Sequence, residues 1–177
     1  MERDNAAAEA FWRFSLMVYS RPAVATGMLA LQDRGGHNVN LILFALWLAV
    51  SGRGRLDGVG LARARAAITP LDTHVVAPLR RMRRELKTDP ERDVQALRRR
   101  ILALEITCER DIQARLAATL AARGDAEAGG RRATAEANLE LVLGADFRAP
   151  EAGFLAALVA ELVLGTRPDE TLSGCAC

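Results

Sequence analysis

Polar side chains that could bind a ligand or transfer a proton are concentrated just before the most apolar segment of the chain, residues 41–50. The set comprises Gln32, Asp33, His37, Asn38 and Asn40. The amide groups could orient a ligand, and the carboxylate or the imidazole could move a proton. The same residues could instead serve the fold, with Asn38 capping the next helix and Asp33 binding its first N–H groups. The sequence leaves both interpretations open, and both predict a fixed polar patch at this turn.

A second group of ionisable residues lies farther along the chain. Glu105 and Glu109 are four residues apart, so a helix would place both carboxylates on one face. A di-metal centre would also need Glu-x-x-His pairs from neighbouring helices, and neither His37 nor His74 has that spacing. We therefore expect no metal and no other cofactor. Arg110 and the arginines of the preceding helix are expected to neutralise the two carboxylates.

A helical hairpin is predicted around the turn at residues 88–90, Thr-Asp-Pro. If both helices are straight, residue i lies level with roughly residue 178 − i. This estimate places Arg84 near Asp93 and His74 near Glu105.

The same hairpin carries two basic runs, at residues 80–87 and 98–100. Such runs can contact phosphates. The interleaved aromatic residues that single-strand binding requires are missing, and acidic residues lie close by. We expect a solvated, salt-bridged hairpin and disfavour nucleic acid as a partner.

The spacing of apolar residues predicts helices throughout and no strand. We expect an all-α, single-domain bundle of seven to eight helices around a buried central helix at about residues 38–51. The domain is predicted over residues 1–167, followed by a disordered tail at 168–177. The predicted helices cover about residues 6–19, 22–34, 38–51, 58–68, 71–87, 91–123, 131–143 and 150–164.

Two features of these helices depend on spacing alone. The pair Thr69-Pro70 is expected to separate the fourth helix from the fifth. The longest helix is expected to bury one stripe, formed by Val94, Leu97, Ile101, Leu104, Cys108 and Ile112.

Composition and charge limit the class of protein. The formal net charge is +2, too small to indicate a nucleic-acid-binding protein. The first residues lack the basic and then apolar order of a signal peptide. The longest apolar run has about half of the ~20 residues that a membrane-spanning helix needs. We expect a cytoplasmic protein with no membrane insertion. Cys175 and Cys177 cannot by themselves complete a four-ligand zinc site.

Several segments resemble an uncharacterised family of short all-helical proteins found mainly in proteobacteria. The resemblance covers about residues 8–145, and its most specific element runs from Gln32-Asp33 to Asn40. The matching residues are 11–15 (Phe-Trp-Arg-Phe-Ser), Tyr19, Pro22, Val24, 31–33 (Leu-Gln-Asp), Gly36, 39–41 (Val-Asn-Leu), Leu43, Phe44, Trp47, 78–80 (Pro-Leu-Arg), Arg83, Glu105 and Glu109. The resemblance implies a bacterial cytoplasmic protein and assigns no activity.

Three functional hypotheses follow. The first is a non-enzymatic interaction module that uses the polar patch around Gln32, Asp33 and Asn40. The second is a small enzyme or ligand-binding protein with a pocket formed by Asp33, Asn40, His74, Arg80 and Glu105. The third is a nucleic-acid accessory protein that uses the arginine-rich hairpin. In the first two hypotheses the partner is an unknown protein or small molecule.

Overall fold

The computed structural model describes residues 2–120 and 130–165, with side chains from residue 5 onwards. These residues form helices and turns without a strand, which confirms the all-α prediction. The α-helices are α1 (Glu2–Tyr19), α2 (Pro22–Gly35), α3 (Val39–Val50), α4 (Gly58–Leu71), α5 (Ala77–Glu85), α6 (Arg92–Ala118), α7 (Gly130–Leu143) and α8 (Phe154–Gly165). A π-helical segment, Asp72–Val76, joins α4 to α5.

Contacts within the chain define two compact units. The hairpin unit combines Met1–Leu16 with Gly58–Ala122, and the α3 unit combines Met17–Asp57 with Arg123–Cys177. A single domain over residues 1–167 stays a prediction. The predicted tail at 168–177 lies outside the described residues.

In the hairpin unit, α4, the π-helical segment and α5 pack along α6. The short 3₁₀ turn Leu86–Thr88 follows α5 and begins the connection to α6. The side-chain amide of Gln95 donates to the carbonyl oxygens of Leu86 at 3.0 Å and Asp89 at 2.5 Å. These bonds close the turn that the sequence predicted here.

The predicted break at Thr69-Pro70 is wrong, because α4 continues through Pro70 to Leu71. The helical path then runs on through the π-helical segment, where Ala77 N–H donates to the Asp72 carbonyl. A proline in a helix interior clashes with the carbonyl four residues before it. The wider π turn lies directly before Pro78, so it accommodates this proline without ending the helix.

The predicted buried stripe of α6 is only partly correct. Cys108 and Ile112 are buried, whereas Leu97 and Leu104 are 47% and 51% exposed. The elements that pack along α6 therefore bury a narrower strip of its surface than the apolar spacing predicted. The helix also ends earlier than the predicted residue 123, at Ala118.

In the α3 unit, every one of the twelve residues of α3 is buried, as predicted for the central helix. Helix α7 packs along α3, and α2 and α8 also contact α3. Helices α2 and α8 approach closely at Gly27, where a Cβ would lie 2.5 Å from the Phe154 ring. The α3 unit therefore has a close-packed apolar core.

The polar interior of the α3 unit is centred on Asn138 of α7, which is fully buried. Its side-chain oxygen accepts from Leu56 N–H at 2.7 Å, and its amide nitrogen donates to the Ala45 carbonyl at 3.1 Å and the Gly54 carbonyl at 3.4 Å. One side chain thus fixes the loop that follows α3 against α3 and α7.

Within 2–120 and 130–165, no single helix has both the length and the apolar composition to cross a bilayer. Only Asn5–Tyr19 and Pro22–Gly35, separated by a sharp bend, reach those criteria when taken together.

Candidate functional site

The α2–α3 corner, residues 32–40, adopts the local structure that its sequence specifies. Gly36 is in the left-handed region at φ 65°, and its N–H donates to the Gln32 carbonyl at 3.2 Å. His37 N–H donates to the Leu31 carbonyl at 3.2 Å, which completes the C-terminal cap of α2. The chain then turns directly into α3.

Asn38 is the N-cap of α3, as predicted. Its Oδ1 accepts from Asn40 N–H at 3.0 Å and Leu41 N–H at 3.3 Å. The first N–H groups of α3 are therefore bound by Asn38. Asp33 has an exposed side chain on the last turn of α2, and its binding to the first N–H groups of α3 stays a prediction.

His37 forms a side-chain hydrogen bond that the sequence did not predict. Its Nε2 lies 2.9 Å from Asp146 Oδ2, in the 3₁₀ turn between α7 and α8. The ring lies against Gly35, where a Cβ would be 2.6 Å from the ring Cδ2. Arg34 Nη1 makes a second link, 3.4 Å from Glu151 Oε1. The corner is thus tied to the segment that leads into α8.

The other predicted residues form a charged cluster in the hairpin unit. Arg80 and Glu105 are buried, and Arg80 Nε lies 3.4 Å from Glu105 Oε1. Arg80 Nη2 donates to Glu109 Oε1 at 2.6 Å. Arg83 donates twice to Glu105, from Nε at 2.6 Å and from Nη2 at 3.1 Å. Two guanidinium groups therefore neutralise Glu105 and Glu109, as the sequence predicted. The contact between Arg83 and Glu105 is bidentate.

The π-helical segment adds a third carboxylate to this cluster. Asp72 Oδ1 lies 3.8 Å from Arg80 Nη1 and, although buried, has no hydrogen bond among the described residues. Arg110, the other predicted neutralising residue, instead donates to Glu9 at 2.6 Å and lies over the Trp12 ring. The cluster that joins α5 to α6 consists of Asp72, Arg80, Arg83, Glu105 and Glu109.

The predicted register of the hairpin is wrong. Glu105 contacts Arg80 and Arg83 instead of His74, which is exposed. The estimate assumed two straight α-helices, whereas His74 lies in the π-helical segment. Near the turn the observed contacts differ less from the estimate, since Arg98 Nε donates to the Arg83 carbonyl at 3.3 Å.

The predicted site residues therefore form two groups. Gln32, Asp33 and Asn40 belong to the α3 unit. His74, Arg80, Glu105 and Glu109 belong to the hairpin unit, where the last three are in contact. Among the described residues, no group of three or more His, Cys, Asp or Glu side chains is arranged to hold a metal ion.

Sequence reasoning missed two buried polar contacts. Asn138 was not singled out, although it continues the buried spacing of Ala135, Leu139 and Val142. Ser15 Oγ lies 3.0 Å from Gln113 Oε1, a buried bond between α1 and α6. A polar residue inside an apolar helical stripe is the signal that could have identified Asn138.

Comparisons with known proteins give a family and no activity. Neither the curated proteins nor the solved structures that were compared with this chain contain a match. Residues 10–116, more than half of the chain, match the model of a family described as proteins of unknown function (DUF2390), and the chain belongs to that family.

Proposed function

We propose that this protein is a non-enzymatic helical interaction module of the bacterial cytoplasm that recognises a protein partner through the α2–α3 corner. The observation that supports this function is the combination of a fixed backbone with an exposed carboxylate. The caps at Gly36 and Asn38 hold both helix ends, while Asp33 is exposed. A preorganised surface of this kind loses little conformational entropy when it binds.

The two links from the corner to the α7–α8 connection add to its rigidity. Each pair involves an exposed partner, so each contributes little stability by itself. Together they hold the chain at Arg34 and His37, on both sides of the Gly35-Gly36 pair. They also bring Asp146 and Glu151 next to the corner, which extends the polar surface available to a partner.

The cluster in the hairpin unit supports a non-enzymatic role. A catalytic acid or base must reach a substrate proton. Arg80 and Glu105 are buried against each other, and Arg83 occupies the second oxygen of Glu105. These contacts fit a structural connection between α5 and α6 better than proton transfer.

The test is position-specific photo-crosslinking in living bacterial cells. A benzophenone amino acid replaces Asp33, and the matched control replaces Ala156, an exposed residue of α8 in the same unit. We expect a discrete protein adduct from position 33 and none from position 156. Asp33→Arg is then expected to weaken binding of the identified partner about tenfold, while Asp33→Asn has a smaller effect.

Three outcomes would contradict the proposal. The first is the absence of any adduct at position 33, and the second is an equal yield at positions 33 and 156. The third is a co-purified small molecule whose removal increases chemical labelling at Asp33, because that result would favour a ligand-binding protein.

A further inference from the structure

Helix α6 exposes large apolar side chains between Leu97 and Ile106. Leu97, Leu102, Leu104 and Ile106 are 38–51% exposed. Leu102 and Ile106 follow Arg99 by three and seven residues, so the three side chains share one face of the helix. We refer to the surface formed by Arg99, Leu102 and Ile106 as the α6 face. Its apolar residues are available to a partner of matching shape.

The hairpin segment that leads into the α6 face carries an excess of positive charge. Arg80 and Arg83 are paired with the carboxylates of the cluster. The other seven basic residues between positions 80 and 100 outnumber the four acidic residues of the same segment. These seven are Arg81, Arg84, Lys87, Arg92, Arg98, Arg99 and Arg100. The excess of positive charge favours an acidic partner.

We infer that the α6 face binds an acidic amphipathic helix of another protein, with the apolar stripe of that helix on Leu102 and Ile106 and its carboxylates near Arg99. An amphipathic helix supplies apolar anchors at the same three- and four-residue spacing that Leu102 and Ile106 present. This surface belongs to the hairpin unit, so the inference goes beyond the interaction proposed for the α2–α3 corner.

Two other occupants fit the α6 face less well. A single nucleic-acid strand stacks its bases on aromatic side chains, and residues 80–106 contain no Phe, Tyr or Trp. A second copy of this chain, paired face to face, would bring two sets of arginines together, which like-charge repulsion opposes.

The test uses the full chain and two designed helical peptides of about 18 residues, long enough for several helical turns. Both peptides carry leucines at the same positions, and one has glutamates where the other has lysines. Fluorescence anisotropy is measured at about 50 and 200 mM NaCl. We expect the dissociation constant of the glutamate peptide to be about tenfold lower than that of the lysine peptide, and to rise with salt.

Variants then separate the apolar part of the α6 face from its charged part. Leu102→Ser and Arg99→Glu are each expected to weaken binding of the glutamate peptide by about fivefold or more. The matched control is Leu29→Ser, since Leu29 of α2 is similarly exposed and lies in the α3 unit. Leu29→Ser and Asp33→Arg are expected to leave peptide binding unchanged.

Other results would overturn the inference. Equal affinity for both peptides, or no measurable binding of either, excludes an acidic helix as the partner. Tighter binding of an oligonucleotide, lost in Arg99→Glu but kept in Leu102→Ser, identifies nucleic acid. A dimer in sedimentation that Leu102→Ser dissociates identifies a second copy of the chain. None of these results affects crosslinking at Asp33, so the two proposals fail separately.

Discussion

Compared with the contact between α3 and α7, the contact between α5 and α6 buries charge in place of hydrocarbon. Along α3 the buried residues are almost all apolar, and α7 adds one polar side chain, Asn138. Between α5 and α6 the centre of the contact is Arg80 with Glu105, both buried. The stability of the first contact comes from close packing of apolar side chains. The stability of the second requires that each buried charge is paired with an opposite charge.

The comparison shows how differently two helix pairs of one chain should respond to substitution. An apolar contact loses stability in proportion to the volume removed. A buried ion pair loses most when one partner is removed and the other charge stays behind.

The largest effect is expected at the apolar contact. Phe44 of α3 is 1% exposed, and Phe44→Ala should lower the free energy of unfolding by about 3–5 kcal/mol. Urea unfolding at low and high salt should give the same loss, because no charge is involved. Leu29→Ala, at an exposed position, should change stability by less than about 0.5 kcal/mol. A loss below about 1 kcal/mol for Phe44→Ala would contradict the packing described for α3.

The charged contact is tested by Glu105→Gln, which keeps the shape of the side chain and removes its charge. Arg83 and Arg80 each lose a charged partner, so we expect a loss of about 3 kcal/mol in urea unfolding. Glu136→Gln is the matched control, because Glu136 pairs with Arg132 on an exposed face of α7. The control should cost about 0–1 kcal/mol. Equal losses would show that the cluster is no stronger than a surface pair.

A smaller effect is expected at the polar centre of the apolar contact. Asn138→Ala leaves Leu56 N–H without its side-chain acceptor, and we expect a loss of about 2 kcal/mol. Hydrogen exchange at the Leu56 amide should become faster in this variant. Asn138→Asp should be less stable still, because it buries a carboxylate and loses the donor to Ala45. Unchanged exchange at Leu56 would contradict the bond.

The smallest effect concerns Cys108, on the buried side of α6. Burial raises the pKa of the Cys108 thiol, and the negative charges of Asp111 and Glu109 raise it further. The folded chain keeps this proton at a pH where the unfolded chain has lost it. The resulting stabilisation is complete below the ordinary thiol pKa of 9.0 and is lost as the pH rises above it.

Urea midpoints of the native chain and of Cys108→Ala measure this contribution between about pH 8 and 10. The native chain should lose more stability over that range than the variant. Parallel curves would show that the thiol is not perturbed by its surroundings.

The α2–α3 corner was predictable because its signals are local. Gly36 and Asn38 act on backbone groups within a few residues of themselves, so the helix ends follow from the sequence. The partner of His37 was not predictable, because Asp146 is more than a hundred residues away and no spacing rule connects the two. That arginines neutralise Glu105 was predictable from charge, whereas the identity of the arginines depended on the helix register.

The exposure of Leu97 and Leu104 shows a limit of apolar periodicity. Spacing identifies the residues that share a face of α6, but the width of the buried strip depends on the element that packs there. Asn138 was missed for the related reason that one polar residue does not alter the average character of a helix. The width of the buried strip requires knowledge of the neighbouring helix, whereas Asn138 could have been identified as a polar residue inside an apolar stripe.

The π-helical segment has a consequence for how this chain tolerates changes of length. Ile68 and Val76 are both buried, yet they are eight residues apart, one more than two α-helical turns require. The segment absorbs that extra residue, so the faces of α4 and α5 stay in phase and Arg80 reaches Glu105. Deletion of the exposed Thr73 should therefore preserve the rotational phase of α5, but it would bring the Pro78 ring against a carbonyl of a regular α-turn. The extra residue of the π-helical segment and Pro78 compensate each other. Deletion of Thr73 combined with replacement of Pro78 should therefore destabilise the chain less than deletion of Thr73 alone.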